Sequence, residues 1–522
     1  MTKKKTRGGL ICKDVMKMFI LMLLLLFPAR PSTAGKESEG CIACHRKQSP
    51  AIVMEWERSK HAKNGVDCLA CHKSEKENPG SWVHHGERIS MIVTPKTCAQ
   101  CHSRENEEFS RSHHALAGEI LASLDNVLAE KAAGMPGNNA DAVNGCLQCH
   151  GGVVKFKKDA KGELLREGPE GKPVVDPDTW PNSGIGRINP DGSRGSCNAC
   201  HSRHIFEAKT ARSPENCGKC HMGPDHPQIE IFNESKHGIA FNANRDKMGL
   251  DKDEWILGKD YSAAPTCATC HMAGHMSKDG KVEGNSHDVG ERISWTLRPA
   301  VSAKMNLVVF EDGFKEDYLE PRALPKPGDT VETVEKVREG DVLVNKKVTR
   351  KVAKVLRWQE RREKMTAACA NCHGGSFIDN FYKQYDSLVG LFNDKFGKPS
   401  KAIMDDLIKD GILSAKAPFE HEVQWIYYEL WHHEGRRARH GAAMMGPDYT
   451  HWHGMYEVSK HFYEKFLPSV LETAKHKSAE LGAKWKTRVD ALLAQDEHVW
   501  QKGLSPKEAE ELRKYAKDRY NQ

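Results

Sequence analysis

Eight copies of the pattern Cys-x-x-Cys-His constrain this chain more than any other feature, because each places two thiols and an imidazole within five residues. In chain order they are motif 1 (Cys41, Cys44, His45), motif 2 (Cys68, Cys71, His72), motif 3 (Cys98, Cys101, His102), motif 4 (Cys146, Cys149, His150), motif 5 (Cys197, Cys200, His201), motif 6 (Cys217, Cys220, His221), motif 7 (Cys267, Cys270, His271) and motif 8 (Cys369, Cys372, His373). Two thiols at this spacing can each form a thioether with a heme vinyl group, and the histidine that follows then ligates the iron. Zinc sites and disulfides also use cysteine pairs, but neither requires a histidine after every pair. The pattern therefore predicts eight covalently bound c-type hemes.

Residues 1–34 have the layout of a secretory signal peptide. A basic start precedes the apolar run 18–27, and prolines and small residues follow it up to Gly35. A membrane anchor is the alternative, but a helix of this run spans only about 15 Å, roughly half of the hydrocarbon core. Cys12 lies in this segment, so the other sixteen cysteines all belong to the motifs. We expect an exported mature protein without stable membrane insertion, in the periplasm or an equivalent extracytoplasmic compartment.

The composition is that of a folded protein with an ordinary solvated surface. Only 39% of the 522 residues are hydrophobic and the net charge is +7, with both signs interspersed along most of the chain. A low hydrophobic fraction can indicate disorder, but covalently attached porphyrins can form the interior that side chains usually form. The charge pattern contains no basic footprint of the kind that binds nucleic acid, and we expect no nucleic-acid partner.

The distribution of the motifs divides the chain into two parts. All eight lie within residues 35–375, which we interpret as a heme-packing domain, with a surface loop at 151–196 and an irregular or β-containing insert at 321–350. Beyond it, residues 376–522 contain no cysteine, and apolar residues recur there at helical spacing, for example in 419–438. The predicted fold class is mainly α, a multiheme cytochrome c with a heme-packing domain followed by a C-terminal helical bundle.

The remaining histidines supply candidates for the distal side of each heme. Electron-transfer hemes usually take a second protein ligand there, whereas a catalytic heme keeps that side open. His61, His113 and His237 each follow a serine by two or three positions. His204 comes three residues after the proximal ligand of motif 5 and could reach a neighbouring iron. His85 and His287 complete the set of candidates. For each of them the alternative is a surface or hydrogen-bonded histidine.

Four segments, together with the eight motifs, resemble the octaheme hydroxylamine oxidoreductase family, which includes hydrazine dehydrogenase-like proteins. They are residues 197–204 (CNACHSRH), 217–228 (CGKCHMGPDHPQ), 431–437 (WHHEGRR) and 446–454 (GPDYTHWHG). The resemblance extends from residue 41 to about residue 465. It implies that motif 4 binds the catalytic heme, that the other seven hemes carry electrons, and that the chain forms a homotrimer.

The resemblance also implies roles for three further residues. Asp225 and His226 match an acid–histidine pair near the open face of the catalytic heme. Tyr449, with Tyr456 as the second choice, matches a tyrosine that is covalently bonded to the catalytic heme of a neighbouring subunit. Alternatively, His226 is an axial ligand that Asp225 orients, and Tyr449 is a packed aromatic residue.

The function implied by this resemblance is oxidation of hydroxylamine to nitric oxide or nitrite, with electrons passed to a soluble c-type cytochrome. Four alternatives stay open at this point: hydrazine oxidation, ammonia-forming nitrite reduction, nitric-oxide-forming nitrite reduction, and electron transfer without catalysis. The reductive relatives lack the cross-linking tyrosine, so the role of Tyr449 discriminates between the two directions.

Overall fold

The computed structural model of this chain describes residues 38–122, 145–339 and 342–520. The predicted signal peptide, residues 1–34, lies outside the described residues. Within the described ranges, no helix is both long and apolar enough to cross a membrane.

The motif-bearing part is built from short helices because the attachment pattern itself favours a single helical turn. Residues three and four positions apart lie on the same side of a helix, so one turn presents both cysteines and the histidine together. Asp67 and Thr266 cap two such turns, accepting hydrogen bonds from the backbone N–H groups of Ala70 and Thr269. The helices of this part are Glu39–Gln48, Pro50–Arg58, Lys60–Lys63, Cys68–His72, Pro95–Cys98, Ser103–Ser110, Leu147–Cys149, Ala208–Arg212, Pro214–Gly218, Gln228–Glu234, Lys236–Ala243, Cys267–His271 and Trp358–Cys369, with 3₁₀ turns at Ala117–Ala122, Cys197–Ala199 and Arg245–Lys247.

Three small antiparallel hairpins lie between these helices. They are β1 (Ser81–His84) with β2 (Glu87–Ser90), β3 (Arg166–Glu167) with β4 (Lys172–Pro173), and β5 (His275–Met276) with β6 (Val282–Glu283). The hairpin β3–β4 lies within the segment 151–196, which the sequence indicated only as a surface loop.

A five-stranded antiparallel sheet precedes the last motif, and it is larger than the predicted insert at 321–350. Its strands are β7 (Trp295–Thr296), β8 (Ala303–Phe310), β9 (Lys315–Leu319), β10 (Thr330–Glu339) and β11 (Val342–Leu356). Strand β8 pairs with β7, β9 and β11, and its residues Val308 and Phe310 pack against Tyr318 and Val352. The sequence did not reveal β8 because most of this strand is buried and does not alternate between polar and apolar residues.

The C-terminal part is helical. Its α-helices are Gly375–Phe392, Lys398–Lys409, Glu422–Glu429, Gly435–Met444, Pro447–Thr450, Glu457–His461, Leu467–Lys477, Ala479–Leu493 and Pro506–Tyr520; π-helical turns lie at Asn393–Gly397, Leu430–Glu434, His451–Tyr456 and Phe462–Phe466, and a 3₁₀ turn at Val499–Lys502. A core of Val423, Leu430, Phe462, Phe466 and Trp485 joins these helices. The helical periodicity at 419–438 therefore corresponds to real helices that bury one face.

The prediction of a mainly α fold is confirmed. The boundary between the two parts at residues 375 and 376 stays a prediction.

Candidate functional site

One connected cavity of about 3270 Å³ runs through the motif-bearing part. A pocket for a single small ligand usually measures about 300–1,000 Å³, so this cavity has room for several large groups. Seven of the eight predicted proximal histidines line it, namely His45, His72, His102, His150, His201, His221 and His271.

Pairs of histidine rings face each other across this cavity at the separation that a heme iron requires. Two metal–nitrogen bonds of about 2 Å, with half a ring on either side, put the centroids of opposite imidazole ligands roughly 6 Å apart. Five proximal histidines have such a partner: His45 with His84 (6.3 Å), His72 with His204 (6.4 Å), His102 with His61 (6.3 Å), His221 with His114 (6.0 Å) and His373 with His237 (6.0 Å). The residues present therefore fit axially ligated hemes.

Hydrogen bonds orient some of these imidazole rings, and burial keeps the rings neutral, as metal ligation requires. The Nδ1 atoms of His72 and His271 bond the carbonyl oxygens of Ser90 and Val289, at 2.8 and 3.2 Å, which leaves Nε2 to face the cavity. Burial lowers the pKa of His221 to about 4. The ring therefore stays neutral at physiological pH, and its lone pair is available to a metal.

At motif 1 the residue opposite the proximal histidine is His84, the neighbour of the predicted distal residue His85. His84 is the last residue of β1 and faces His45, whereas the side chain of His85 is 74% exposed. His85 and Gly86 form the turn of the hairpin with positive φ values of 48° and 90°.

At motif 6 the predicted distal residue His113 again has a neighbour that faces the proximal histidine. The Nε2 atom of His113 lies 2.7 Å from a carboxylate oxygen of Asp317, and its side chain is half-exposed. His114 instead faces His221, and burial lowers its pKa to about 3. We therefore propose His114, in place of His113, as a distal ligand.

The other predicted distal residues lie where a ligand is needed. His61, His204 and His237 face the proximal histidines of motifs 3, 2 and 8. His287 lines the same cavity as His201 and exerts the strongest charge effect on its pKa. The ligand role of each of these residues stays a prediction.

Contacts between cysteines of different motifs give the spatial order of the attachment sites. In the structure these sulfurs are thiols that stand for the thioether sulfurs of the heme-loaded protein. Motif 6 contacts motif 4 through a hydrogen bond between Cys149 and Cys220. The remaining neighbours are Cys41 and Cys68, Cys71 and Cys98, Cys98 and Cys197, Cys200 and Cys217, Cys217 and Cys267, and Cys270 and Cys369. The motifs therefore follow the order 1–2–3–5–6–7–8, and motif 4 adjoins motif 6.

Beside motif 4, the neighbours of His150 are an acid and a second imidazole. Asp225 and His226 both influence the pKa of His150 electrostatically, and both line the cavity. An Asp225 carboxylate oxygen lies 2.5 Å from His226 Nδ1, while His226 Nε2 bonds the Cys220 carbonyl at 3.0 Å. Both ring nitrogens of His226 are thus occupied by hydrogen bonds.

Hydrogen bonds and neighbouring charges shift the pKa values of both Asp225 and His226. Burial disfavours a charged Asp225, but the hydrogen bond from His226 and the nearby Arg436 outweigh that effect and lower the pKa of Asp225 to about 2. Burial also disfavours a charged His226, and the contact with Asp225 nevertheless raises the His226 pKa.

A polar cluster that the sequence did not assign holds Asp225 in place. Arg436 Nη1 donates to Asp225 Oδ2 at 3.2 Å and lies 2.8 Å from His432 Nε2, and the Tyr428 hydroxyl is 3.2 Å from the same nitrogen. These residues follow one another at intervals of four, so successive helical turns present them on one face. The spacing was visible in the sequence, but the contact with Asp225, 211 positions away from Arg436, was not.

Tyr449 and Tyr456 are absent from the described residues that line the cavity. Tyr449 stacks on His453 with ring centroids 5.6 Å apart, and its backbone N–H donates to Glu234. Tyr456 and the adjacent Trp452 are about half-exposed. Neither tyrosine is placed to reach the motif 4 site of its own chain.

Comparison with known proteins finds similarity to multiheme cytochromes. Residues 191–320 match the family described as seven times multi-haem cytochrome CxxCH, and residues 97–169 match cytochrome c554 and c-prime. A probable nitrite reductase-hydroxylamine oxidoreductase fusion protein of Kuenenia stuttgartiensis is 29% identical over 262 residues. This chain is thus similar to hydroxylamine oxidoreductase-like multiheme cytochromes c. The aligned region covers 44% of the chain and a quarter of that relative's length.

Two solved structures share the fold. A hypothetical multiheme protein superposes with a TM-score of 0.67 at 24% identity, covering 86% of this chain and 98% of the other. A reducing hydroxylamine oxidoreductase-like protein complex of Kuenenia stuttgartiensis gives a TM-score of 0.52 at 20% identity, covering 85% of this chain and 87% of the other.

The proposed ligand positions lead to a test with adjacent histidines as matched controls. We expect His84→Ala and His114→Ala each to open one iron and to add a high-spin signal in electron paramagnetic resonance. The neighbouring variants His85→Ala and His113→Ala are expected to leave the spectrum unchanged. All four proteins should retain the intact mass of a chain with eight hemes, because the thioethers depend only on cysteine. A high-spin signal from His85→Ala, with none from His84→Ala, would reverse the assignment.

Proposed function

We propose that this protein carries eight covalent c-type hemes and oxidises hydroxylamine, to nitric oxide or nitrite, at the site beside motif 4. The observation that carries the proposal is the half-buried pair of Asp225 and His226, which lies next to His150 and is held by Arg436. Electron transfer alone would not need an acid–histidine pair that leaves both imidazole nitrogens hydrogen-bonded.

The chemistry requires both an electron acceptor and a proton acceptor. A heme iron with an open side supplies a binding position for a small nitrogen compound and accepts electrons from it. Converting hydroxylamine to nitric oxide releases three protons with three electrons, and conversion to nitrite with water releases five protons with four electrons. The carboxylate of Asp225 is placed to receive these protons, and the His226 ring donates a hydrogen bond to it.

Arg436 orients the acid in this scheme. Its guanidinium is nearly buried and is held by the carbonyl oxygen of Arg298 at 2.8 Å, so it presents Nη1 to Asp225 from a fixed position. His432 contacts the same guanidinium, and the Tyr428 hydroxyl in turn bonds His432. This preorganisation keeps Asp225 ionised and ready to accept a proton.

The order of the motifs supports an electron path away from the catalytic site. Motif 4 adjoins motif 6. From motif 6, one series of neighbouring motifs leads through motifs 5, 3 and 2 to motif 1. A second series leads through motif 7 to motif 8. We propose a soluble c-type cytochrome as the acceptor, a homotrimer as the assembly, and export of the mature chain.

Nitrite reduction is the second candidate. It is favoured by the position of Tyr449 outside the cavity of its own chain, because without a partner subunit this site has no cross-linking tyrosine. A curated relative is described as a nitrite reductase-hydroxylamine oxidoreductase fusion protein, and a solved structure as a reducing complex.

Turnover assays with the heme-loaded protein separate the candidates. We expect hydroxylamine to reduce an oxidised cytochrome c in the presence of the protein, with hydrazine as the competing donor. Nitrite added to the pre-reduced protein should then reoxidise it only slowly. Rapid reoxidation by nitrite without hydroxylamine turnover would favour the reductase, and the absence of both activities would leave an electron conduit.

A further inference from the structure

Two hairpin turns meet beside motif 1, and the partly exposed carboxylate of Glu170 lies between them. Glu170 lies in the turn between β3 and β4, and His84 and His85 lie at the turn between β1 and β2. One carboxylate oxygen of Glu170 is 2.6 Å from His84 Nδ1, and the other accepts the His85 backbone N–H at 2.9 Å. Arg166 joins the same hairpins by donating to the carbonyl oxygens of Gly171 and Ser81, at 2.8 and 3.5 Å.

We propose that Glu170 is a positioning residue that orients His84 as the distal ligand of the first heme and lowers the reduction potential of that heme. The ring of His84 has its centroid 6.3 Å from that of His45, and Glu170 holds its Nδ1, which leaves Nε2 available to ligate an iron. The second oxygen fixes the backbone of the turn, and the two contacts together set both the tilt and the tautomer of His84.

A different use of the same residues is an additional metal site. The ligand atoms of His84, His85 and Glu170 lie within 4.8 Å of one another, as a bound cation would need. The facing rings of His84 and His45 argue against it, because His84 would have to serve two metals at once. His85 Nδ1 is also 3.8 Å from Glu170 and its side chain is exposed, so it completes no enclosed site.

The expected effect on the reduction potential of the first heme follows from the negative charge of Glu170. A carboxylate that accepts the Nδ1–H of a ligating imidazole makes the other nitrogen a stronger donor, and a stronger donor stabilises ferric over ferrous iron. Motif 1 lies at one end of the series of neighbouring motifs, so Glu170 would set the potential at a terminal heme.

The test is a redox titration of the heme-loaded protein, followed by electron paramagnetic resonance. The low-spin component that disappears in His84→Ala identifies the first heme. In Glu170→Gln we expect the ferric-to-ferrous equilibrium of that component to shift about tenfold toward the reduced form, which is ~59 mV for a one-electron couple. Glu170→Asp should recover part of the shift. The matched control is Glu163→Gln, an exposed glutamate in the same segment, which should not move it.

Four results would overturn the proposal. The first is an unchanged midpoint potential in both Glu170→Gln and Glu170→Ala. The second is an equal shift in Glu163→Gln. The third is complete loss of the low-spin component in Glu170→Gln, which would show that Glu170 only holds the hairpins together. The last is stoichiometric binding of Zn²⁺ to the wild-type protein that Glu170→Gln abolishes, since this would assign the cluster to a second metal.

Discussion

Replacing Asp225 by asparagine is expected to lower kcat for hydroxylamine oxidation by about 10²–10⁴-fold, the range for loss of a positioned acid or base. Asparagine keeps the shape of the side chain, but it cannot accept a proton and no longer balances the charge of Arg436. Substrate binding depends mainly on the iron, so KM should change less than kcat. The measurement is steady-state reduction of cytochrome c by hydroxylamine.

Two controls decide how Asp225 acts. Asp246→Asn changes an exposed aspartate of the same part of the chain and should leave kcat unchanged. If His226 is instead an axial ligand that Asp225 orients, Asp225→Asn will alter the low-spin spectrum of one heme. An unaltered spectrum with reduced kcat supports the proton-transfer role, whereas an unaltered kcat contradicts it.

Tyr449→Phe is expected to abolish most hydroxylamine oxidation and to convert covalently linked subunits into separate chains. The proposal is that Tyr449 is bonded to the motif 4 heme of a neighbouring subunit and favours withdrawal of electrons from the bound nitrogen compound. Tyr449 is partly exposed, and its segment carries the exposed Trp452 and Tyr456, so a second chain can approach it. Loss of the hydroxyl removes the bonding atom and leaves the ring packing on His453 intact.

The experiment combines denaturing electrophoresis with the absorption spectrum of the reduced protein. Wild-type chains should remain linked in hot detergent and show an unusual long-wavelength band, and Tyr449→Phe should lose both properties. Tyr456→Phe is the matched control, and if it alone loses them the cross-link belongs to Tyr456. If wild-type chains already separate and show only ordinary c-type bands, the reductase becomes the better proposal.

The sequence by itself was sufficient to predict the heme attachment sites. Each site needs only two thiols and an imidazole within five residues, and no distant part of the chain can change that requirement. The helical C-terminal part was predictable for a similar reason, since periodic apolar residues such as Val423 and Leu430 specify a buried helix face locally.

Other features were decided only by the tertiary structure. His84 and His85, like His113 and His114, are adjacent and chemically identical, so nothing local distinguishes them. A hairpin turn leaves one member of the first pair largely exposed, and a contact with Asp317 engages one member of the second pair.

The candidate active site was predictable only in part. Asp225 and His226 are adjacent in the chain, and their pairing followed from a family resemblance, but Arg436 reaches Asp225 from a helix 211 positions later. The placement of motif 4 beside motif 6, outside the order of the chain, likewise depends on how short helices pack around the cavity. The attachment motifs are local, so the sequence alone predicts which cofactor the chain binds. Long-range packing decides which side chains contact each other, and local sequence patterns do not encode that packing.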